Sequence, residues 1–560
     1  MKKTCIIVFP LFLYALLSFI YFGLHLYPDF THQYFGMSGD SLGAMWALHW
    51  WPYAISHGLN VFFTTSVWAP FGYNLTESLA MPLLSILVSP LTALYGVVVT
   101  YNFTTIFVSA LSAYTAYWLC RSVVKSFWPA LFGGYFFGFS SYAIAQSLAH
   151  LCLTVTFLLP LLVLVWILYF KNEIRCFLFV LLTALLMAGI FLIDSEMSVL
   201  ITLFLAMFLC VAFFLFKEER KKIFHFCLLL AWACLLFLLI LSPYLYEFFV
   251  HGSANYQKDI VGASMDLFNL FIPTPVTWFG GDFFVKGVSR HFSTNLFEAD
   301  AYFGVPLILI TIFYLKEFWH EKMSKFMFWM LIILIVAALG PVLHWRGHQF
   351  GHLPWALMTY LPIVKAIIPT RFPLYISLIT AVIVALWLKR SSYNQTFKYL
   401  SVIVAIFFLL PNFNPDPTHV KYPSHLQWTT KFKVPDFFSK NIYKRYLKKN
   451  AIVVALPYYE DAACEPGVWQ VQSKMHFRLA SACLGGSPRE FMQMPIYNSL
   501  PCKPASDVDS LAFQQYLNAI HPSAIIVKES LFQEWQPLFT KLHLKAKHIS
   551  GIAFIALDHR

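Results

Sequence analysis

Through the first 411 residues the sequence breaks into apolar runs, most of them about 15 to 22 residues long, and that repeat admits few folds. A helix of that length crosses a hydrocarbon core of about 30 Å. At that repeat only helices satisfy their own backbone in lipid. The chain is 59% hydrophobic and 12% charged, far more apolar surface than a soluble core of 560 residues could bury. Lys2 and Lys3 precede an apolar stretch from Cys5 to Leu24 with no small-residue cleavage site after it, which reads as a retained signal anchor.

Orientation follows from Lys and Arg in the connectors: Arg121 and Lys125, Lys171 and Arg175, Lys217 with Arg220 to Lys222, Lys316 to Lys325, and Lys389 with Arg390. With all of these cytoplasmic, about eleven spans alternate consistently. They fall near 5–24, 101–120, 127–143, 151–170, 176–193, 197–216, 223–241, 301–315, 324–340, 372–388 and 396–411. Met81 to Val98, with Pro82 and Pro90, is apolar but out of phase, and is expected to be juxtamembrane or re-entrant. The expected architecture is an all-α polytopic membrane domain, 1–411, with outer loops 28–80, 242–300 and 341–371. A soluble α/β domain, 412–560, follows outside the cytoplasm. Its strands are expected near 451–456, 524–527 and 552–557, with helices near 506–519 and 531–544. It contains neither a Gly-rich phosphate loop nor a nucleophile elbow.

The net charge of +12 lies largely in the short connectors and has no aromatic interleaving, so no nucleic-acid partner is expected. The ten cysteines are mostly scattered through apolar helices. Cys464, Cys483 and Cys502 lie in the C-terminal domain, where an oxidising compartment would permit one disulfide and a spare thiol.

The carboxylate of Asp40, in Ser38-Gly39-Asp40-Ser41-Leu42, precedes an aromatic helix at the outer boundary, where lipid-linked and soluble substrates meet. It reads equally as a catalytic base and as the N-cap of that helix. Trp46, Trp50, Trp51 and Trp68 suggest amphipathic helices lying in the membrane interface. His344, Arg346, Lys365 and Arg371 offer positive charge for a phosphate, or else headgroup anchors. Asp194 and Glu196 would line a cavity, assist Asp40 or hold a divalent cation, or simply flank an exposed turn. His150, at the outer end of a span, reads as a partner for acceptor or phosphate, or as a satisfied interface residue. His344, His348 and His352 recur at four-residue spacing, but Gly347 and Gly351 interrupt any helix there, so no metal site is expected from them.

The run Asp40, Trp46, His49, Trp50, His57-Gly58 and Trp68-Ala69-Pro70-Phe71-Gly72-Tyr73-Asn74 resembles the first outer loop of the C-type glycosyltransferase superfamily. Glu298, Tyr302 and Gly304 at a helix start, Pro362 through Arg371-Phe372 and the C-terminal domain are similar to its bacterial YfhO-like branch. The resemblance implies an inverting membrane transferase. It would take sugar from a polyprenyl-phosphate donor, with Asp40 as base, and pass it to an envelope glycan, lipid or protein outside the cytoplasmic membrane. Arg371, Lys365 and Arg346 would meet the donor phosphate, with Asp194, Glu196, His150, Glu298, Tyr302, Trp46 and Trp50 around the cavity. No cofactor is firmly implied; a divalent cation is the one to consider. A flippase for a lipid-linked glycan and a non-catalytic membrane scaffold are the alternatives from other classes.

Overall fold

The computed structural model describes residues 3–78, 80–252, 259–361, 367–414, 418–420, 425–457, 464–500 and 505–557. Six of the described segments are long and apolar enough to cross a membrane: Ile6–His25, Ser89–Val124, Leu151–Phe170, Ser195–Leu215, Lys217–Ile240 and Pro369–Arg390. Cys176–Phe191 and Gln395–Leu409 are apolar but shorter. The helices Phe127–Gly138, Val305–Glu317 and Lys322–Ala338 complete the bundle. Six of the eleven expected spans fall on these segments, and the other five on shorter helices.

The out-of-phase segment 81–98 is not one helix. Pro82–Leu87 ends at Val88, a second helix begins at Ser89, and Gly96, at φ +80°, breaks it before the long helix through Val124. A side chain at that φ would be strained, which is why glycine marks the break.

Close helix packing positions the site. A Cβ at Gly134 would meet the Ala113 carbonyl oxygen at 2.6 Å, one at Gly138 the Ser109 oxygen at 2.6 Å, and one at Gly133 the Ala381 oxygen at 2.9 Å. Small residues thus let Phe127–Gly138 wedge between the helices ending at Val124 and at Arg390. The chain leaving that wedge, Ser141–Gln146 and on to His150, is thereby delivered to the start of Pro373–Arg390.

The basic connectors gather at the other end of the bundle. Lys171 donates to the Ser122 carbonyl, Lys222 to the Phe170 carbonyl at 2.6 Å, Lys322 pairs with Glu218, and Arg390 pairs with Glu321. Helix Pro373–Arg390 runs from the site end to this basic end, so acidic and basic ends face opposite sides of the bundle.

Residues 259–304 and the hairpin Val342–Trp345/His348–His352 cover the site end. The buried carboxylate of Asp266 accepts the Gly347 N–H at 2.7 Å and pins the hairpin turn. The histidines 344, 348 and 352 therefore lie on paired strands, not on a helix. A helical metal spacing does not arise.

Beyond residue 451 lies a five-stranded sheet. Ile452–Leu456 pairs in parallel with Arg478–Leu479 and with Ala524–Lys528. Ile552–Ala556 adds antiparallel to Ala524–Lys528, and Lys547–Ile549 closes the edge. This sheet is not set apart from the helices. Strand Thr429–Lys431 pairs with Gln33–Phe35 of the loop that follows the first helix, and the Ala69 N–H reaches the Leu479 carbonyl at 2.8 Å. Helix Gly39–Ser56 is clamped between bundle and sheet: Trp46 stacks on Trp50 at 5.3 Å and donates its Nε1–H to Gln470 at 2.8 Å. Both indoles are buried, which corrects the interfacial reading of this helix. Its aromatics face protein on two sides rather than lipid.

Cys464 and Cys483 form a disulfide, and a Cβ at Gly43 would lie 2.1 Å from the Cys483 carbonyl oxygen, so the bridged loop rests directly on helix Gly39–Ser56. Cys502 lies outside the described residues. The bond spans a sequence separation of 19. Replacing Cys464 by serine is expected to cost about 3 kcal/mol of stability in the C-terminal region. Thermal unfolding of wild type, with and without reductant, against Cys464→Ser checks this: the variant should match reduced wild type.

Candidate active site

Asp40 sits in the first turn of its helix but is not the cap. The Ser38 side chain takes that role, accepting the Asp40 N–H at 3.2 Å. The Asp40 carboxylate is thereby free of capping work, and its side chain is 40% exposed. His150 Nε2 lies 3.4 Å from Asp40 Oδ2, with the imidazole largely covered. Its Nδ1 is 2.7 Å from Gln146 Oε1 and 3.9 Å from Glu298 Oε1.

Behind this pair lies a buried ion pair. Glu298 takes both terminal nitrogens of Arg371, one at 2.8 Å, and the Thr370 hydroxyl at 2.6 Å. Burial alone would raise the Glu298 carboxyl, but the Arg371 guanidinium, the His150 ring and the Thr370 hydroxyl outweigh it and bring it down to about 2. The bidentate fork is the strong form of this contact. Arg371 is 4% exposed. Glu298 already takes both its terminal nitrogens, while its Nε–H has no partner among the described residues.

Asp300, two residues on, is buried, and its Oδ2 accepts the Gln146 Nε2–H at 2.8 Å. Its Oδ1 has no partner among the described residues. Burial first, and the Glu298 charge second, push its carboxyl well above the usual range. An acid with a raised folded value favours the fold at low pH and loses that contribution as pH rises, because the unfolded chain then ionises freely. Asp300→Asn is therefore expected to raise the thermal midpoint at pH 7.5, with the gain shrinking towards pH 4. A midpoint that falls equally at both values would contradict a neutral Asp300.

The other residues expected at the site have different work. Asp194 caps helix Ser195–Leu215, accepting the Met197 N–H at 2.9 Å, and Glu196 accepts the Ile368 N–H at 2.7 Å. Glu196 nevertheless lies close enough to Arg371 to add to its negative surroundings. Tyr302 is buried beside Gly304, and Trp46 and Trp50 belong to the clamped helix. Lys365 lies outside the described residues. Arg346, exposed at the hairpin turn, donates Nε–H and Nη2–H to the Gly287 carbonyl at 3.2 and 2.8 Å. With His291, Trp345 and His348 it lines an open cavity of about 400 Å³. His344 is buried instead, and burial lowers its affinity for a proton, so it brings no charge to that cavity. Among the described residues no three His, Cys, Asp or Glu side chains converge as a metal would require.

Sequence reasoning missed Gln146, Asp300 and Thr370. Gln146 and Asp300 carried a faint signal, a long polar side chain in Ala145-Gln146-Ser147 and a second carboxylate two residues after Glu298.

The bundle with its capping loops and C-terminal sheet is similar in fold to two solved glycosyltransferases. Residues 11–410 match a family described as a domain of unknown function (DUF6311), and the chain belongs to that family. The archaeal oligosaccharyltransferase AglB from Archaeoglobus fulgidus, solved with an inhibitory peptide and a dolichol-phosphate, is similar at TM-score 0.52 and 11% identity. That match covers 99% of this chain and 74% of AglB. The same enzyme's apo form gives 0.50 and 12%, covering 100% of this chain and 75% of that one. The arabinofuranosyltransferase AftD from Mycobacteria gives TM-score 0.50 and 12% identity over 100% of this chain, which spans 42% of AftD's length. No curated protein matches the chain.

Proposed function

We propose that the chain is a glycosyltransferase of the cytoplasmic membrane, moving one sugar from a polyprenyl-phosphate donor to an extracytoplasmic glycan, lipid or protein. The observation that carries this reading is the open Asp40 carboxylate against His150, backed by the buried Glu298–Arg371 pair, in a chain with this fold. A disulfide in the C-terminal region and basic connectors at the opposite end both support a site facing outward. Kinship with the YfhO-like branch is part of the same proposal.

In the inverting step the acceptor hydroxyl attacks the sugar's C1 from the face opposite the phosphate. Its proton passes to Asp40, the new C1–O bond forms, and the old one breaks with its electron pair on the phosphate oxygen. A phosphate leaving group needs no acid; it needs positive charge. Because Glu298 holds the terminal nitrogens of Arg371, the exposed guanidinium of Arg346, on its open cavity, suits that charge better. Lys365 is a further candidate. Arg371 then acts by keeping Glu298 in place beneath His150.

The test is transfer of radiolabelled sugar in membranes containing the wild-type protein, offered a panel of polyprenyl-phosphate sugars. A labelled lipid, glycan or protein product is expected with at least one donor. If every donor fails while the protein is folded and abundant, the transferase reading gives way to a flippase or scaffold.

A further inference from the structure

A second cavity runs inside the bundle, away from the site. It encloses about 510 Å³, chiefly between Leu151–Phe170, Ser195–Leu215, Lys217–Ile240, Lys322–Ala338 and Pro369–Arg390. One face of Ser195–Leu215 lines it from Ile201 through Phe204 and Phe208 to Ala212, at helical spacing. At 1.5 Å per residue that stretch is about 16 Å long. At the site end the Phe204 and Tyr375 rings pack at 4.5 Å, and neither Asp40 nor Arg371 lines the cavity. At the other end, among the basic connectors, its lining includes Phe216, Glu219 and Lys222.

A void of this size is too costly to stay empty. At the rate by which interior cavities destabilise proteins, it would consume the net stability of an ordinary domain. Water does not suit it, since a buried water needs about two to four polar partners. The walls are aliphatic and aromatic, the Tyr375 hydroxyl is given to the Met197 carbonyl at 3.3 Å, and one indole N–H, on Trp166, does not supply that number. Hydrocarbon does suit it. The lined depth is close to one leaflet's share, about 15 Å, of a hydrocarbon core of about 30 Å. The charge at the basic end favours an anionic headgroup. Lys222 Nζ donates to the Phe170 carbonyl at 2.6 Å, which holds the ammonium at the rim with further N–H donors to offer. The segment Lys217-Glu218-Glu219-Arg220-Lys221-Lys222 carries more cations than carboxylates, and Glu218 is paired with Lys322.

We propose that this cavity holds one acyl chain of an anionic phospholipid from the membrane leaflet at the basic end, with Lys222 meeting its phosphate. The chain packs between Ser195–Leu215, which carries Glu196, and the helix that follows Arg371, so it braces two elements of the site from behind. The inference does not depend on the transferase reading.

The test is photolabelling of the full-length protein in nanodiscs of equal parts phosphatidylglycerol and phosphatidylcholine, with a diazirine near the acyl terminus of one lipid at a time. Peptide mass spectrometry then locates the label. Phosphatidylglycerol should label Leu378 and Ile379, which line the cavity, besides the outward-facing Ile403. At Leu378 it should exceed phosphatidylcholine by roughly fivefold, the ratio one lysine contributes at an anionic headgroup. Lys222→Gln should lower the Leu378 ratio by that factor and leave the Ile403 ratio unchanged. Label confined to Ile403 and other exposed positions in wild type would show that no lipid chain enters, and overturn the proposal. Equal labelling of Leu378 by both lipids would overturn the anionic occupant. Displacement of the phosphatidylglycerol label at Leu378 by a polyprenyl phosphate would give the cavity to that chain instead.

Discussion

Asp40→Asn is expected to reduce sugar transfer by about 10²- to 10⁴-fold, the range lost when a general base is removed. An acceptor hydroxyl is a weak nucleophile until its proton has somewhere to go, and asparagine offers an amide that cannot take it. The substitution is nearly isosteric, and it leaves the Ser38 cap and the helix Gly39–Ser56 in place, since neither depends on the Asp40 side chain. Loss of activity with an unchanged melting profile therefore isolates the chemistry. The loss should fall on kcat, with KM for the donor little altered. Wild-type turnover by Asp40→Asn would remove Asp40 from the mechanism.

Arg371→Ala should be the most destabilising single change at the site, costing about 3–5 kcal/mol, because it strands a buried carboxylate. Glu298 is buried, and its charge is met by the Arg371 ion pair and the Thr370 hydroxyl. Glu298→Gln strands the guanidinium in turn and should cost a comparable amount. Exchanging both for methionine should recover much of the loss, since the interior then holds no unmatched charge. Thermal unfolding of the two single variants and the double one reads the coupling directly. Single losses that simply add in the double variant would show that the pair is not a unit.

The same pair predicts an acid limb. The Glu298 carboxyl, about 2 in the folded protein against an ordinary 4.5, contributes stability that is complete above about pH 4.5. That contribution is lost as pH falls from there towards 2. Glu298→Gln should flatten this part of the curve.

Much of the site could be read from the residues alone, because each such feature is local. Asp40 stood out as a lone carboxylate before an aromatic helix, and Glu298, Arg371 and His150 as polar groups at the ends of apolar runs. What each does was not local. Arg371 looked like an open cation, but its partner lies 73 residues earlier in the chain, so pairing appears only once two distant segments are folded together. Trp46 and Trp50 looked interfacial because an aromatic helix near lipid and one clamped beneath a folded sheet have the same composition. The second case depends on Gln470, 424 residues away from Trp46.

By itself the sequence determined that lipid is part of this protein's solvent, because the length and apolarity of the runs are properties of the chain. It also determined which end of the bundle is basic, since charge in short connectors cannot stray from its helix ends. Only the tertiary structure decided the chemistry of the site. It decided that Ser38 rather than Asp40 caps the helix, that Glu298 takes both terminal nitrogens of Arg371, and that His150 lies between Asp40 and Gln146. Pairing depends on distances of a few ångströms between segments far apart in sequence, and those distances are set by packing, here by the glycines that let Phe127–Gly138 lie between its neighbours.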